Sequence, residues 1–281
     1  MNELSSKALL VSLNISQWAA RKLDKRESAV VEARNATCTG AARVNKSLLP
    51  MASSLDRIHK LTGAIRTDYY KLTLPWDNGT GIIKAESYLA FAQVMSEHKV
   101  GWEQAVTKFV GEYDQLREDS KHLLGDLYRE EDYPAQSEVA QKFSLDLAFY
   151  PVPDAGDWRV SLGDDEIAAL REQITSKVQE SEARAMSEAW RRVFEVVEKA
   201  HERLASPDNV FRDSLIDNAR ELCSILPTLN ITDDPQLESM RREIERSLCG
   251  HDPQDLREDD SLRSEVSEEL DSLMRKMAGY M

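Results

Sequence analysis

Phe143-Ser144-Leu145-Asp146-Leu147-Ala148-Phe149-Tyr150 sets Phe143, Leu145, Leu147 and Phe149 on alternate positions, the period-two pattern of a half-buried strand. A few residues later the period changes. Ile167, Leu170, Ile174, Val178, Ala185, Ala189, Val193, Val197, Ala200 and Leu204 keep threes and fours over about 40 residues, a helix of roughly 60 Å at 1.5 Å per residue. A clear strand followed by so long a helix decides the class. The expectation is an α+β fold, predominantly long helices with one small discontinuous, mainly antiparallel sheet.

Working outward, Pro151, Pro153 and Gly156 mark a turn, and Trp158, Val160 and Leu162 read as a partner strand. Leu9, Val11, Leu13 and Ile15 alternate, as do Leu72, Leu74 and Trp76, so residues 9–16 and 71–76 are further strand candidates. Asp77-Asn78-Gly79-Thr80-Gly81 is a turn signal, with Ile82 and Ile83 opening a return strand. Helices are expected over residues 20–35 and 41–49, with Thr37-Cys38-Thr39-Gly40 as the break between them. Another, past Pro50, carries Leu55, Ile58, Leu61, Ile65 and Tyr69 on one stripe. A further helical stretch covers residues 84–124, interrupted near His98 to Gly101. Ser206-Pro207, Asp234-Pro235 and Asp252-Pro253 each set a capping side chain before a proline, giving helices over 207–226, 235–249 and 253–277.

This pattern divides the chain into residues 1–162, a sheet with helices, and residues 163–281, an acidic all-helical region packing on it and ending in an acidic helix. The long stripe calls for a neighbour of similar length. It is expected to lie along the 84–124 helix or to form a subunit contact, which makes Ile167, Leu170, Ile174, Val178, Val193, Val197 and Leu204 a candidate helix-packing or oligomer interface.

Charge is segregated in a way the net value of -14 conceals. Residues 1–75 hold 12 Lys and Arg against 6 Asp and Glu, while the remainder holds 24 against 44. A basic front joined to an acidic body suits a protein that grips an anionic partner at one end. The candidate anion- or nucleic-acid-binding residues are Trp18, Arg21, Lys22, Lys25, Arg26, Arg34, Arg43, Lys46, Arg57, Lys60, Arg66, Tyr70, Lys71 and Trp76. Arg21 with Lys25 and Lys22 with Arg26 are spaced to repel on a helix, a cost that phosphates would relieve, and the aromatics could stack bases. The blander reading is that Glu27, Glu32 and the acidic body neutralise this face internally.

Other chemistry finds little footing. The five histidines form no ligand pair, no Cys-x-x-Cys occurs, and Trp76 to Gly81 lacks the lysine and spacing of a phosphate-binding loop. Acidic clusters such as Asp164-Asp165-Glu166 sit at helix starts or in linkers, where negative charge is favoured anyway. No catalytic residue, metal or cofactor is therefore expected. Cys38, Cys223 and Cys249 are odd in number and widely spaced, which gives no disulfide framework and fits a reducing cytoplasm. No apolar run approaches the roughly 20 residues of a membrane span, and the opening residues lack a secretory pattern, so no membrane partner is expected.

Within residues 7–25, Leu13-Asn14-Ile15-Ser16-Gln17-Trp18 and Arg21-Lys22-Leu23-Asp24-Lys25 resemble an uncharacterised family encoded by tailed phages and prophages, and Phe143 to Tyr150 with the following helix also fits it. Members of that family are often encoded near a MoxR-like AAA+ ATPase and a von Willebrand A-domain protein. The resemblance implies a protein partner, a AAA+ ATPase, and a place in the bacterial host cytoplasm. Together these readings lead to a non-catalytic interaction, assembly or adaptor protein that forms a homo-oligomer. The alternative is a single-stranded nucleic-acid or nucleotide-binding protein of phage replication, recombination or defence evasion.

Overall fold

The computed structural model describes residues 3–154 and 164–280, and the fold is α+β with long helices dominating, as expected. The chain opens with a short helix α1 (Glu3–Lys7) and strand β1 (Ala8–Ser16), then forms β2 (Arg21–Asp24), α2 (Lys25–Arg34) and β3 (Val44–Ser47). Helix α3 (Ser53–Leu72), strand β4 (Leu74–Pro75), strand β5 (Gly81–Lys84) and helix α4 (Tyr88–Leu124) follow. Short 3-10 turns lead to α5 (Gln136–Ala140) and β6 (Ser144–Pro151). The rest is helical: α6 (Asp164–Leu204), α7 (Ser214–Leu229), α8 (Pro235–Ile244) continued by a π turn (Glu245–Cys249), α9 (Asp255–Glu258) and α10 (Asp260–Met277).

Four strands form one sheet in the order β4-β5-β1-β6, with β1 antiparallel to β5 (Ala8 opposite Lys84, Val11 opposite Gly81) and β4 antiparallel to β5. Strands β2 and β3 make a separate antiparallel pair. Tyr69 fastens α3 to the larger sheet: its hydroxyl donates to Val11 O at 2.8 Å and accepts from Gly81 N–H at 3.0 Å. Only glycine fits at position 81, because a Cβ there would meet Thr73 Cβ at 2.8 Å.

By contact the chain divides into two compact units, Met1–Ser12 with Asp68–Ala92 and Ala148–Met281, and Leu13–Thr67 with Gln93–Leu147. In the first, α6 lies against α10, α7 and β4. Val178, Ala185, Ala189, Val193, Val197, Ala200 and Leu204 of α6 are buried with Ile216 and Leu226 of α7 and with Val266, Leu270 and Leu273 of α10. Arg192 ties α6 to the end of α3, donating to Lys71 O at 3.2 Å and Thr73 O at 3.0 Å. The Asp77 turn is fastened to the same helix by Ser181 Oγ at 2.9 Å and by Arg184. It is a hairpin turn, closed by Trp76 N–H to Thr80 O at 2.9 Å.

In the second unit the core is aromatic. Trp102 of α4 donates to Thr62 Oγ1 of α3 at 2.9 Å, and Phe143 meets both Trp102 and Phe109 edge to face, with centroids at 6.3 and 5.6 Å. Tyr113 donates to Pro134 O at 2.8 Å and Tyr133 to Leu48 O at 2.6 Å, each satisfying a carbonyl in an irregular segment.

Several local expectations are corrected. Residues 41–49 are not helical: Val44–Ser47 is a strand paired with Arg21–Asp24, which takes the first turn from the helix expected over 20–35. Ala20 at φ +47° cannot begin a helix, and its carbonyl accepts from Leu48 N–H at 2.7 Å instead. A two-stranded pairing across this distance has no local period to betray it. No break occurs at His98 to Gly101, because Met95, Trp102 and Phe109 bury one continuous side of α4. Only Leu74–Pro75 of the 71–76 segment is strand, since α3 runs to Leu72. Helix α7 starts at Ser214 rather than 207, and the 253–277 helix is broken at Asp259, whose carboxylate caps α10 by accepting from Ser261 and Leu262 N–H. The expected strand at 158–162, and the boundary drawn at 162, lie outside the described residues.

Within the first unit the long stripe meets α10 and α7. Within its unit α6 is covered by the carboxy-terminal helices, so Val178, Val193, Val197 and Leu204 are spent on internal packing and are closed to a second subunit. Ile167, Leu170 and Ile174 are half-buried. The acidic last helix is part of this core through Val266, Leu270, Leu273 and Met277, and only its outer face is solvated.

Candidate interaction surface

The basic front centres on β2, α2 and β3. Asp24 ends β2 and caps α2, its Oδ1 accepting from Arg26 and Glu27 N–H at 3.1 Å each. The Glu27 N–H first, and then the Lys46 ammonium, hold the Asp24 carboxyl below the usual range against its burial. Lys46, opposite Lys22 in the ribbon, points inward with a side chain only 4% exposed. Its Nζ reaches Leu127 O at 2.6 Å, Asp132 at 2.7 Å and Asp24 at 3.3 Å, and Lys22 closes on the other Asp132 oxygen at 2.6 Å. Burial raises the Asp132 carboxyl, but Lys22 and Lys46 outweigh it and leave it below its ordinary value.

Helix α2 is inverted. Its buried residues are polar, Ser28 and Glu32, one turn apart. Ser28 Oγ donates to Asp24 O at 2.6 Å and accepts from Val44 N–H at 3.0 Å. Glu32 Oε1 accepts from Gly40 N–H at 2.6 Å and Ala42 N–H at 3.2 Å, holding the 35–43 loop against the helix, with Gly40 at φ +90° supplying the turn. What faces solvent is apolar and cationic: Leu23 at 40%, Val31 at 38% and Val30 at 53% exposure, beside exposed Lys25, Arg26, Arg34 and Arg43. Removing the Glu32 carboxylate strands two loop N–H groups. Glu32→Ala should therefore loosen the module by about 2 kcal/mol, seen as faster amide exchange over 25–44 while α4 keeps its protection. Unchanged exchange in that stretch would contradict the role given to Glu32.

The structure sorts the candidate cations. Among the described residues Arg21, Lys25, Arg26, Arg34, Arg43, Arg57, Lys60 and Arg66 are exposed and make no ion pair. Lys22 is half-committed to Asp132, and Lys46 is fully committed inside. Tyr70, Lys71 and Trp76 belong to the other unit, where Lys71 pairs with Glu221 and Trp76 packs on the core. Trp18 is half-buried, edge-on to Tyr113 at 5.9 Å, with its carbonyl 3.1 Å from His59 Nε2. Arg21, Lys22 and Lys142 line a recess of about 440 Å³ together with Glu131, Asp132 and Glu138, so its charges are mixed and it offers no anion pocket.

Sequence reasoning missed Ser28 and Asp132, and gave Glu32 the role of neutralising cations where it holds loop N–H groups instead. The partner of each is distant or is backbone, so no period exposes it. One signal was present: Asp24-Lys25-Arg26-Glu27 is an N-cap followed three residues later by Glu, which marks the start of α2.

The first unit presents the opposite charge. Glu258, Asp260, Glu265, Glu268 and Glu269 of α9 and α10 are exposed and form no ion pair among the described residues, while nearby Arg257 is taken by Asp213 and Arg263 is buried. No helix among the described residues is long and apolar enough to cross a membrane.

No family model, curated protein or solved structure matches this chain.

Proposed function

We propose that the protein is a non-catalytic interaction and assembly protein that binds an acidic protein face through the β2–α2–β3 module. The observation that carries this reading is the inversion of α2, which hides Ser28 and Glu32 and presents Val30 and Val31 among unpaired cations. Covering those valines with Leu23 calls for apolar contact, and Lys25, Arg26, Arg34 and Arg43 call for carboxylates around it. The chain carries such a face itself on α9 and α10, where half-buried Leu262 lies one turn before Glu265. A second copy is therefore the first partner assigned. Because the two faces differ, the contact is heterologous and adds copies head to tail.

The AAA+ ATPase implied by the phage resemblance belongs to this reading as a further protein partner for the same module. Single-stranded nucleic acid has thinner support. Trp18 is packed edge-on, and the outward residues of α2 are aliphatic or cationic, so among the described residues α2 itself offers no stacking platform.

Sedimentation at rising protein concentration tests the second-copy assignment. Association should appear at low salt, weaken as salt screens the charges, and fall by about tenfold or more in Lys25→Glu/Arg26→Glu/Arg34→Glu. Leu23→Ser/Val30→Ser/Val31→Ser should weaken it without changing the salt dependence. A monomer at every concentration and salt would overturn self-assembly.

A further inference from the structure

Cys223 and Cys249 lie 26 positions apart in sequence, yet their sulfurs are 4.0 Å apart. Cys223 sits mid-way along α7 and is 2% exposed; Cys249 ends the π turn that continues α8 and is half-buried. In the π turn Gly250 N–H reaches back five residues to Glu245 O at 3.1 Å. This wider turn carries Leu248, fully buried, and Cys249 against α7. Arg220, one turn before Cys223, holds the segment in place by donating to Cys249 O and His251 O at 3.0 Å each. Two thiols on separately anchored helical segments are thus kept in van der Waals contact, with about 2 Å to close before a bond of roughly 2.05 Å forms.

We propose that Cys223 and Cys249 are a redox-active dithiol, an oxidation site at which a peroxide converts the pair to an intramolecular disulfide clamping α7 to the π turn. The two sulfurs have unequal roles. Cys249 is the more accessible, and its hydrogen-bonded contact with Cys223, with Arg220 nearby, lowers its thiol pKa. Cys223 is pushed the other way, first by the hydrogen bond to Cys249 and then by burial. Cys249 is therefore the attacking thiolate and Cys223 the resolving thiol.

In the first step the Cys249 thiolate attacks one peroxide oxygen. The O–O bond breaks, Cys249 becomes a sulfenic acid, and the second oxygen leaves as water after taking a proton. In the second step Cys223 sulfur attacks Cys249 sulfur. The S–S bond forms, the S–O bond breaks, and the departing hydroxyl takes up the Cys223 proton as water. The two thiols lose two electrons and two protons, and hydrogen peroxide is reduced to two waters.

The third cysteine, Cys38, is exposed and is removed for the test. Folded Cys38→Ser protein treated with hydrogen peroxide should lose both titratable thiols and two hydrogens in mass. It should yield a peptide joining positions 223 and 249, and recover both thiols with dithiothreitol. Cys38→Ser/Cys223→Ser should stop at a sulfenic acid on Cys249 that dimedone traps, whereas Cys38→Ser/Cys249→Ser should react far more slowly. The proposal is overturned if both thiols of the Cys38→Ser protein survive peroxide that fully oxidises Cys38 in the unaltered chain. Formation of the 223–249 link only after unfolding in denaturant would overturn it equally.

Discussion

Arg263→Met lowers the unfolding free energy of the first unit by about 3–5 kcal/mol, the range for stranding buried polar groups around a removed charge. The residue is only 4% exposed, and among the described residues it forms no ion pair. Its guanidinium instead donates to four backbone carbonyls: Arg203 and Asn209 at 2.6 Å, and Leu204 and Pro207 at 3.2 Å. Arg203 and Leu204 close α6, so these are carbonyls that the end of a helix leaves without intrahelical donors. The cation also complements the negative end of the 41-residue helix, and lies over the Phe211 ring at 5.4 Å. Methionine fills comparable space but satisfies none of the four acceptors. Lysine keeps the charge and should recover only part of the loss, because an ammonium cannot span the fork of carbonyls that a planar guanidinium reaches. Thermal and urea unfolding of the wild type, Arg263→Met and Arg263→Lys should rank in the order wild type, lysine, methionine. Methionine within about 0.5 kcal/mol of wild type would show that the carbonyl fork contributes nothing.

Lys46→Met carries a similar cost in the second unit, about 3–5 kcal/mol. Asp24 and Asp132 side chains are 6% and 5% exposed, and Lys46 is the cation they share. Taking it away leaves Asp132 with Lys22 alone and Asp24 with its two N-cap hydrogen bonds. The diagnostic variant is Lys46→Met/Asp132→Asn. Removing the uncompensated carboxylate should restore part of the stability, so the double mutant is less destabilised than the two single changes added together. Additive losses would mean that the pair is not coupled. The same cluster sets an acid response. Both carboxyls are depressed in the folded state, so their contribution is complete above the ordinary aspartate range near about pH 4 and is lost as pH falls through the lower folded values. Wild type should lose stability more steeply than Lys46→Met below that range, and parallel acid titrations would refute the cluster as its source.

These two residues also show how far the sequence could be read. Lys46 stood among the candidate anion ligands because it lies in a run of cations, and Arg263 drew no notice because it lies in an acidic helix. Each was misjudged for one reason: whether a charge faces solvent depends on what the rest of the chain brings to it. Lys46 is turned inward by a strand pairing and by Asp132, 86 positions later, and Arg263 is turned inward by the end of α6. By contrast, exposed Arg21, Lys25, Arg26, Arg34 and Arg43 stayed where the charge pattern put them, because none of them is drawn into an ion pair among the described residues. Of the expected cations those five are exposed, while Lys46 is buried between Asp24 and Asp132 and Lys71 pairs with Glu221.

Periodicity alone determined the strands at Ala8–Ser16 and Ser144–Pro151, the stripe of α3, and the long helix ending at Leu204. In each, burial of one face imposes a repeat of two or of three to four that is written locally. Segregation of charge between residues 1–75 and the remainder is likewise a property of the chain as written. Only the tertiary structure decided that residues 44–47 pair with 21–24, that α10 and α7 cover α6, that α2 turns its polar side inward, and that Cys223 meets Cys249. Each of these is a meeting of segments far apart in sequence, or of a side chain with a distant backbone group. Such contacts are chosen by the packing and hydrogen-bond satisfaction of the whole unit, for which no local repeat exists.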